Sequence, residues 1–310
     1  MSAPQWFVHE LATFRRRVWL AGWVHDGQRE IAGLRVAFPQ GRPVRVDDWQ
    51  LDSPAAAEEL GPEAAACGFA VDLPAPEGRY ADELRLTVHY ADGHDVELVD
   101  LYGPATDRDV YHAIGASFWK RLAAVDGDVL EIGSRDRSGQ VRRDQVGAGR
   151  GYVGFDILAG PNVDVVGDAH ELSRHFPPNR FGAVFAIATF EHLLMPWKAV
   201  LEINRVLAPG GIVWVATHQT YPLHEIPWDF YRYSNDAWRG LFNPWTGFAI
   251  LEVGMGEPAA IVATRSHSIT RDMDAGQAYL GATVIAQKIG DTALAWDVRV
   301  PDLLESTYPT

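Results

Sequence analysis

Over roughly the first hundred residues, apolar and polar positions follow the two-residue period of strands. Residues 18–24 form a β-rich run that ends at the turn pair Asp26-Gly27. Residues 31–38 run to Gly41-Arg42-Pro43, residues 69–73 form a third run, and residues 84–90 alternate cleanly up to Ala91-Asp92-Gly93, with 95–101 as the hairpin partner. Pro54 to Leu60 reads as a connecting turn of helix. Short strands separated by turn signals predict an all-β sandwich over residues 1–103.

After Gly103-Pro104 the period changes. Residues 108–125 put Val110, Ile114, Phe118 and Leu122 on one helical face. From residue 128, strands at 128–132, 151–155, 164–166, 183–186 and 211–216 alternate with helical stretches, of which 197–207 is the clearest. Alternation of this kind predicts a mostly parallel sheet covered on both faces, an α/β domain over 104–310. Residues 248–253 and 279–288 read as late strands, and 296–310 as a tail packed on the surface.

Composition adds limits. Of 310 residues, 47% are hydrophobic and 22% charged, as in a globular protein with a substantial core. A formal net charge of −14 does not suit unspecific binding to nucleic acid or to anionic membranes. Residues 181–190, the longest apolar stretch, are about half of what spans a bilayer, so no membrane insertion is expected. Glu10 and Arg15–Arg17 break any signal-peptide layout. The lone Cys67 can form no internal disulfide, and a cytoplasmic protein is expected.

The chemistry gathers where strands end. Gly133 follows the first strand of the second region directly, which permits a tight turn and close approach of a ligand to the backbone. The second strand ends in Asp156, and its spacing from Gly133 fits an acid about 20 residues on that accepts hydrogen bonds from ribose hydroxyls. Asp168 ends a third short strand, where a carboxylate and backbone amides can hold an adenine edge.

Taken in order, Glu131-Ile132-Gly133, Asp156, Asp168-Ala169, Glu191-His192 and Arg205-Val206-Leu207-Ala208-Pro209-Gly210-Gly211 resemble the motifs of class I S-adenosylmethionine-dependent methyltransferases over about residues 105–255. The resemblance implies a Rossmann-like, mostly parallel seven-stranded sheet whose final strand enters antiparallel. It implies S-adenosylmethionine as cofactor, held by Glu131, Gly133, Ser134, Arg135, Asp156, Ile157, Asp168, Ala169 and Ala188. Arg135 stands where the family has a second glycine: its side chain either crowds the methionine end of the cofactor, points outward, or pairs with the cofactor carboxylate.

The loop after the fifth strand is rich in aromatic, His, Asp and Arg residues and leaves the edge of the sheet where the acceptor belongs. For a hydroxyl acceptor, a histidine near neutral pKa suits proton removal. His218 and His224 are candidate bases, Asp229 is their orienting partner or an alternative base, and His192 is a third candidate. Trp228, Tyr231, Arg232 and Tyr233 are candidates for lining the acceptor pocket. The spacing of His218, His224 and Asp229 fits no strong metal template, and no metal is expected.

Leu20-Ala21-Gly22-Trp23-Val24-His25-Asp26, Ile31-Ala32-Gly33-Leu34-Arg35-Val36 and Cys67-Gly68-Phe69 resemble small β-sandwich modules attached to bacterial glycan-related enzymes. That resemblance implies a saccharide or glycoconjugate acceptor. Three readings stay open: O-methylation of a sugar hydroxyl, methylation of a non-sugar metabolite, and a non-catalytic glycan-associated module. Homo-oligomerisation is also open.

Overall fold

The computed structural model describes residues 3–14, 16–79, 81–99, 101, 110–137, 139–147, 149–264, 268–270, 273, 276–306 and 308. Gly103 and Pro104 at the expected boundary, Arg108 at the expected helix start and Ser138 in the turn after Gly133 lie outside the described residues. The chain divides into two compact units, Met1–Ala105 and Thr106–Thr310.

The first unit contains β1 (Gln5–Phe14), β2 (Arg17–His25), β3 (Ile31–Ala37), β4 (Val44–Arg45), β5 (Asp48–Leu51), α1 (Pro54–Leu60), β6 (Gly68–Pro74), β7 (Arg85–Tyr90) and β8 (Asp95–Leu98). They form two four-stranded antiparallel sheets, ordered β1-β2-β6-β5 and β4-β3-β7-β8. Val18 and Leu20 from one sheet meet Leu34, Val36, Leu86 and Val88 from the other in a shared core. Helix α1 starts where Ser53 Oγ accepts the Ala56 N–H and Pro54 stands in the first turn. It covers Trp23, which is 2% exposed, together with Cys67. Strand β1 is not legible as an alternation, because it lies at a sheet edge with most positions exposed.

The second unit contains α2 (Val110–Leu122), β9 (Asp128–Ile132), β10 (Tyr152–Asp156), β11 (Val165–Val166), β12 (Phe181–Ile187), α3 (Pro196–Val206), β13 (Leu207–His218), α4 (Asn235–Leu241), β14 (Phe248–Ala259), β15 (Ala278–Lys288) and α5 (Val300–Leu303). Its seven-stranded sheet runs β11-β10-β9-β12-β13-β15-β14, and β15 enters antiparallel to β13. Alternate residues of each strand face opposite sides. Val184, Ala186, Val213 and Val215 pack with α3 and α4, while Ala183, Phe185, Ile212 and Trp214 pack with Ile114 and Phe118 of α2. Strand β13 begins earlier than its apolar run suggests, because Leu207 pairs with Phe181 before the chain passes the left-handed Gly210. The order of strands reverses between β9 and β12, and that switch point places a cleft at their carboxyl ends.

The tail differs from the expectation of a surface strand of chain. Val300 is 5% exposed and packs with Met195 and Trp228, and Tyr308 lines the cleft. No helix among the described residues is long and apolar enough to cross a membrane.

Candidate active site

Gly133 turns the chain out of β9 with φ +77°. A Cβ there would lie 2.1 Å from Thr189 Oγ1, so both the backbone angle and the space require glycine. The Gly133 and Ser134 N–H groups donate to Phe155 O at 2.9 and 3.2 Å, which ties the turn to β10. At the end of β10, Asp156 Oδ2 accepts the Arg135 N–H at 3.1 Å and Oδ1 the Leu158 N–H at 2.9 Å. Each oxygen keeps a further acceptor site, so the fixed carboxylate can still receive two ribose hydroxyls.

Asp168 Oδ1 accepts the His170 N–H and the His170 ring Nδ1–H, at 2.9 and 2.6 Å. The other ring nitrogen, Nε2, accepts the Met195 N–H at 3.1 Å, which fixes His170 as the neutral Nδ1–H tautomer. Burial pushes the Asp168 carboxyl up, but the bonds from His170 outweigh it and hold the group below its ordinary value. Ala188, just beyond β12, sits at φ +48°, an unusual backbone for a side-chain-bearing residue and one found at ligand sites.

Gly133, Arg135, Asp156, Ile157, Asp168, Ala169 and Ala188 all line one open cleft, whose space out to its mouth is about 710 Å³. Two of the residues expected there do not line it. The Glu131 carboxylate is 4% exposed and turns to the Tyr152 hydroxyl, to Asn162 and toward Arg142, bracing β9 against β10. Burial pushes its pKa up. Ser134 is 3% exposed, and its side chain is tucked beneath Gly154. Arg135 rests its stem against Gly160, and its Nε is buried without a hydrogen-bond partner. A guanidinium nitrogen without a partner beside an open cleft fits a ligand that ends in a carboxylate.

At the end of the cleft, His192 joins it to a second constellation. The Glu191 side chain is fully buried. Its Oε2 accepts the Thr217 hydroxyl, while Oε1 has no hydrogen-bond partner. Around Oε1 stand the Nε2 atoms of His218 at 3.3 Å, His192 at 3.8 Å and His224 at 4.0 Å. The His192 Nδ1–H donates to Trp228 O at 2.5 Å and the His224 Nδ1–H to Pro222 O at 3.1 Å, so both turn an unprotonated Nε2 inward. Burial pushes His218 down from its ordinary pKa, with the Glu191 carboxylate acting against that.

Neighbouring candidates serve this cluster indirectly. Asp229 is paired through both oxygens with Arg232, at 2.6 and 2.9 Å, and accepts the His224 N–H at 3.0 Å. The Arg232 pairing brings its carboxyl down to about 2, so it orients the loop and is a poor base. Arg232 also donates to Tyr221 O and Pro222 O, clamping the loop rather than facing an acceptor. Tyr233, expected in the acceptor pocket, is instead a core residue: it is 4% exposed, stacks on Trp238 at 4.4 Å and donates to Phe190 O. The Tyr231 hydroxyl is spent on Leu194 O. Of the four aromatic or basic candidates, only Trp228 lines the cleft.

Sequence reasoning named Glu191 only as part of a motif, without a role, and did not single out His170 or Tyr308. The signal for Glu191 was an acid at the end of an apolar strand, which needs partners once buried. Three imidazoles supply that setting from positions 1, 27 and 33 residues downstream.

Residues 145–215 match the family model described as a methyltransferase domain. The structure is similar to that of a SAM-dependent methyltransferase from Archaeoglobus fulgidus, 15% identical, with 57% of this chain and 94% of that chain covered and a TM-score of 0.39. It is also similar to one from Mesorhizobium loti, 18% identical, with coverage of 56% and 99% and a TM-score of 0.36. A third, from Methanosarcina mazei, is 17% identical, with coverage of 53% and 93% and a TM-score of 0.37. No curated protein matches the chain. The matched residues lie within the second unit and include Asp156, Asp168, Glu191 and His192.

Proposed function

We propose that the protein transfers a methyl group to a hydroxyl of a sugar or glycoconjugate. The observation that carries this reading is the convergence of His192, His218 and His224 on buried Glu191, with His192 shared between that cluster and the nucleoside cleft. Bound S-adenosylmethionine supplies the methyl group for an in-line displacement at its sulfonium carbon. Asp156 holds the ribose, Asp168 and the backbone at Ala169 meet the adenine edge, and Arg135 pairs with the methionine carboxylate. The Nε2 of His218 or His224 takes the proton of the acceptor hydroxyl, and Glu191 Oε1 stabilises the imidazolium that results. Asp229 and Arg232 keep His224 in place, and alignment of this kind supplies much of the rate.

A sugar acceptor is favoured by the resemblance of the first unit to modules found on glycan-related enzymes. Incubation with methyl-labelled cofactor and a panel of free sugars, nucleotide sugars and non-sugar phenols tests the reading. Label in a sugar ether is the expected result. Label only in a phenol moves the acceptor to a non-sugar metabolite, and absence of both cofactor binding and transfer leaves the non-catalytic module.

A further inference from the structure

We propose that Glu191, His218 and His224, with His192 beside them, form a binding site for one divalent first-row transition metal, with zinc the best match to the ligand set. Metal–ligand bonds of about 2.0–2.2 Å at tetrahedral angles need ligand atoms about 3.3–3.6 Å apart. The Glu191 Oε1 to His218 Nε2 distance is 3.3 Å, and those to His192 and His224 are 3.8 and 4.0 Å. The coordinating atoms of Glu191, His218 and His224 all lie within 4.8 Å of one another, which supplies three protein ligands and leaves a position open for water or an acceptor.

Three further observations favour a cation over a plain hydrogen-bonded cluster. Glu191 Oε1 is buried and unpartnered, a costly state that a bound cation relieves. His192 and His224 donate Nδ1–H to backbone carbonyls at 2.5 and 3.1 Å, the outer bonds that fix metal-binding imidazoles with Nε2 free. Glu191 Oε2 is held by Thr217, so the inner carboxylate oxygen is oriented as well. Imidazole nitrogen with one carboxylate suits zinc, and less strictly nickel or iron, rather than magnesium or calcium. His218 and His224 keep 22% and 27% of their side-chain surface, which leaves the site a route to solvent.

That the cation sits where an acceptor arrives rests on the methyl-transfer reading above. A hydroxyl coordinated there would be oriented and acidified, its O–H bond breaking with the proton passing to bulk water. With their Nε2 atoms on the metal, His218 and His224 would position the acceptor rather than take its proton.

The test uses the full chain, stripped with a chelator and titrated with Zn²⁺ against a chromophoric chelator, with neither cofactor nor acceptor present. One equivalent per chain is expected, and loading with Co²⁺ should give the visible absorption of a four- or five-coordinate site. His224→Ala lies on a half-exposed loop and His218→Ala is a second, separate removal; each should weaken Zn²⁺ binding at least about tenfold. His94→Ala, on an exposed turn of the first unit, should leave it unchanged. Absence of stoichiometric binding, or binding unaffected by both His218→Ala and His224→Ala, overturns the proposal. A chain that binds S-adenosylmethionine but no zinc loses only the metal site, and one that binds zinc but not the cofactor loses only the methyl-transfer reading.

Discussion

Arg137, in the loop after β9, forms an ion pair of 2.6 Å with Glu225, in the loop after β13. The contact joins a segment that lines the cleft to the segment that carries His224. Arg137 is half exposed, so the pair adds little to global stability. Its consequence is positional. Arg137→Ala should leave the thermal midpoint nearly unchanged, a shift of about 0.5 kcal/mol or less in stability, while raising KM for the acceptor. An unchanged KM would show that the two loops are set independently.

Asp156 is expected to carry most of the recognition of the ribose. Hydrogen bonds to a charged group contribute about 1.5–3 kcal/mol each. Asp156→Asn keeps the shape and one acceptor oxygen but removes the charge, so the dissociation constant for S-adenosylmethionine should rise at least about tenfold. Calorimetry on the variant, with its melting curve as a check of folding, reads this directly. Unaltered affinity would mean that the ribose is held elsewhere.

Arg135 separates two accounts of the cleft. With its Nε buried and unpartnered, it is expected to meet the carboxylate of the cofactor. Wild-type protein should therefore bind S-adenosylmethionine more tightly than its decarboxylated analogue, and Arg135→Ala should erase that preference. Tighter binding of both ligands by the variant would identify Arg135 as an obstruction instead.

The Asp168–His170 pair predicts a dependence of stability on pH. The folded carboxyl titrates below its ordinary value of 3.8. Its contribution is therefore fully present above that value and is lost as the pH falls through the lower, folded one. The difference in melting temperature between wild type and Asp168→Asn should be constant near neutrality and shrink below about pH 4. A difference that grows with acidity would contradict the assignment.

How much of this the sequence carries depends on the range of the interaction. Gly133, Asp156 and Asp168 stand at strand ends, and a strand end is a local pattern, so their approach to one cleft follows once the sheet is parallel. The edge position of β1 and the early start of β13 are set by pairing with distant strands, which no local period records. The cluster on Glu191 is tertiary in the same sense: Thr217 and His218 arrive from β13, the strand beside β12, and His224 from the loop beyond it. Tyr233 and Arg232 share the composition of a binding loop, yet one fills the core and the other clamps Asp229, a difference that only packing decides. Tyr308 reaches the cleft through the packing of Val300 on Met195 and Trp228, a link invisible in the tail's own composition.

In the proposed function, the carboxyl ends of β9, β10 and β11 hold the nucleoside of S-adenosylmethionine. Calorimetric titration of the full chain with that cofactor tests it most directly. Saturable binding of one equivalent per chain is expected, accompanied by a rise in melting temperature. No heat and no thermal shift at high cofactor concentration would contradict it.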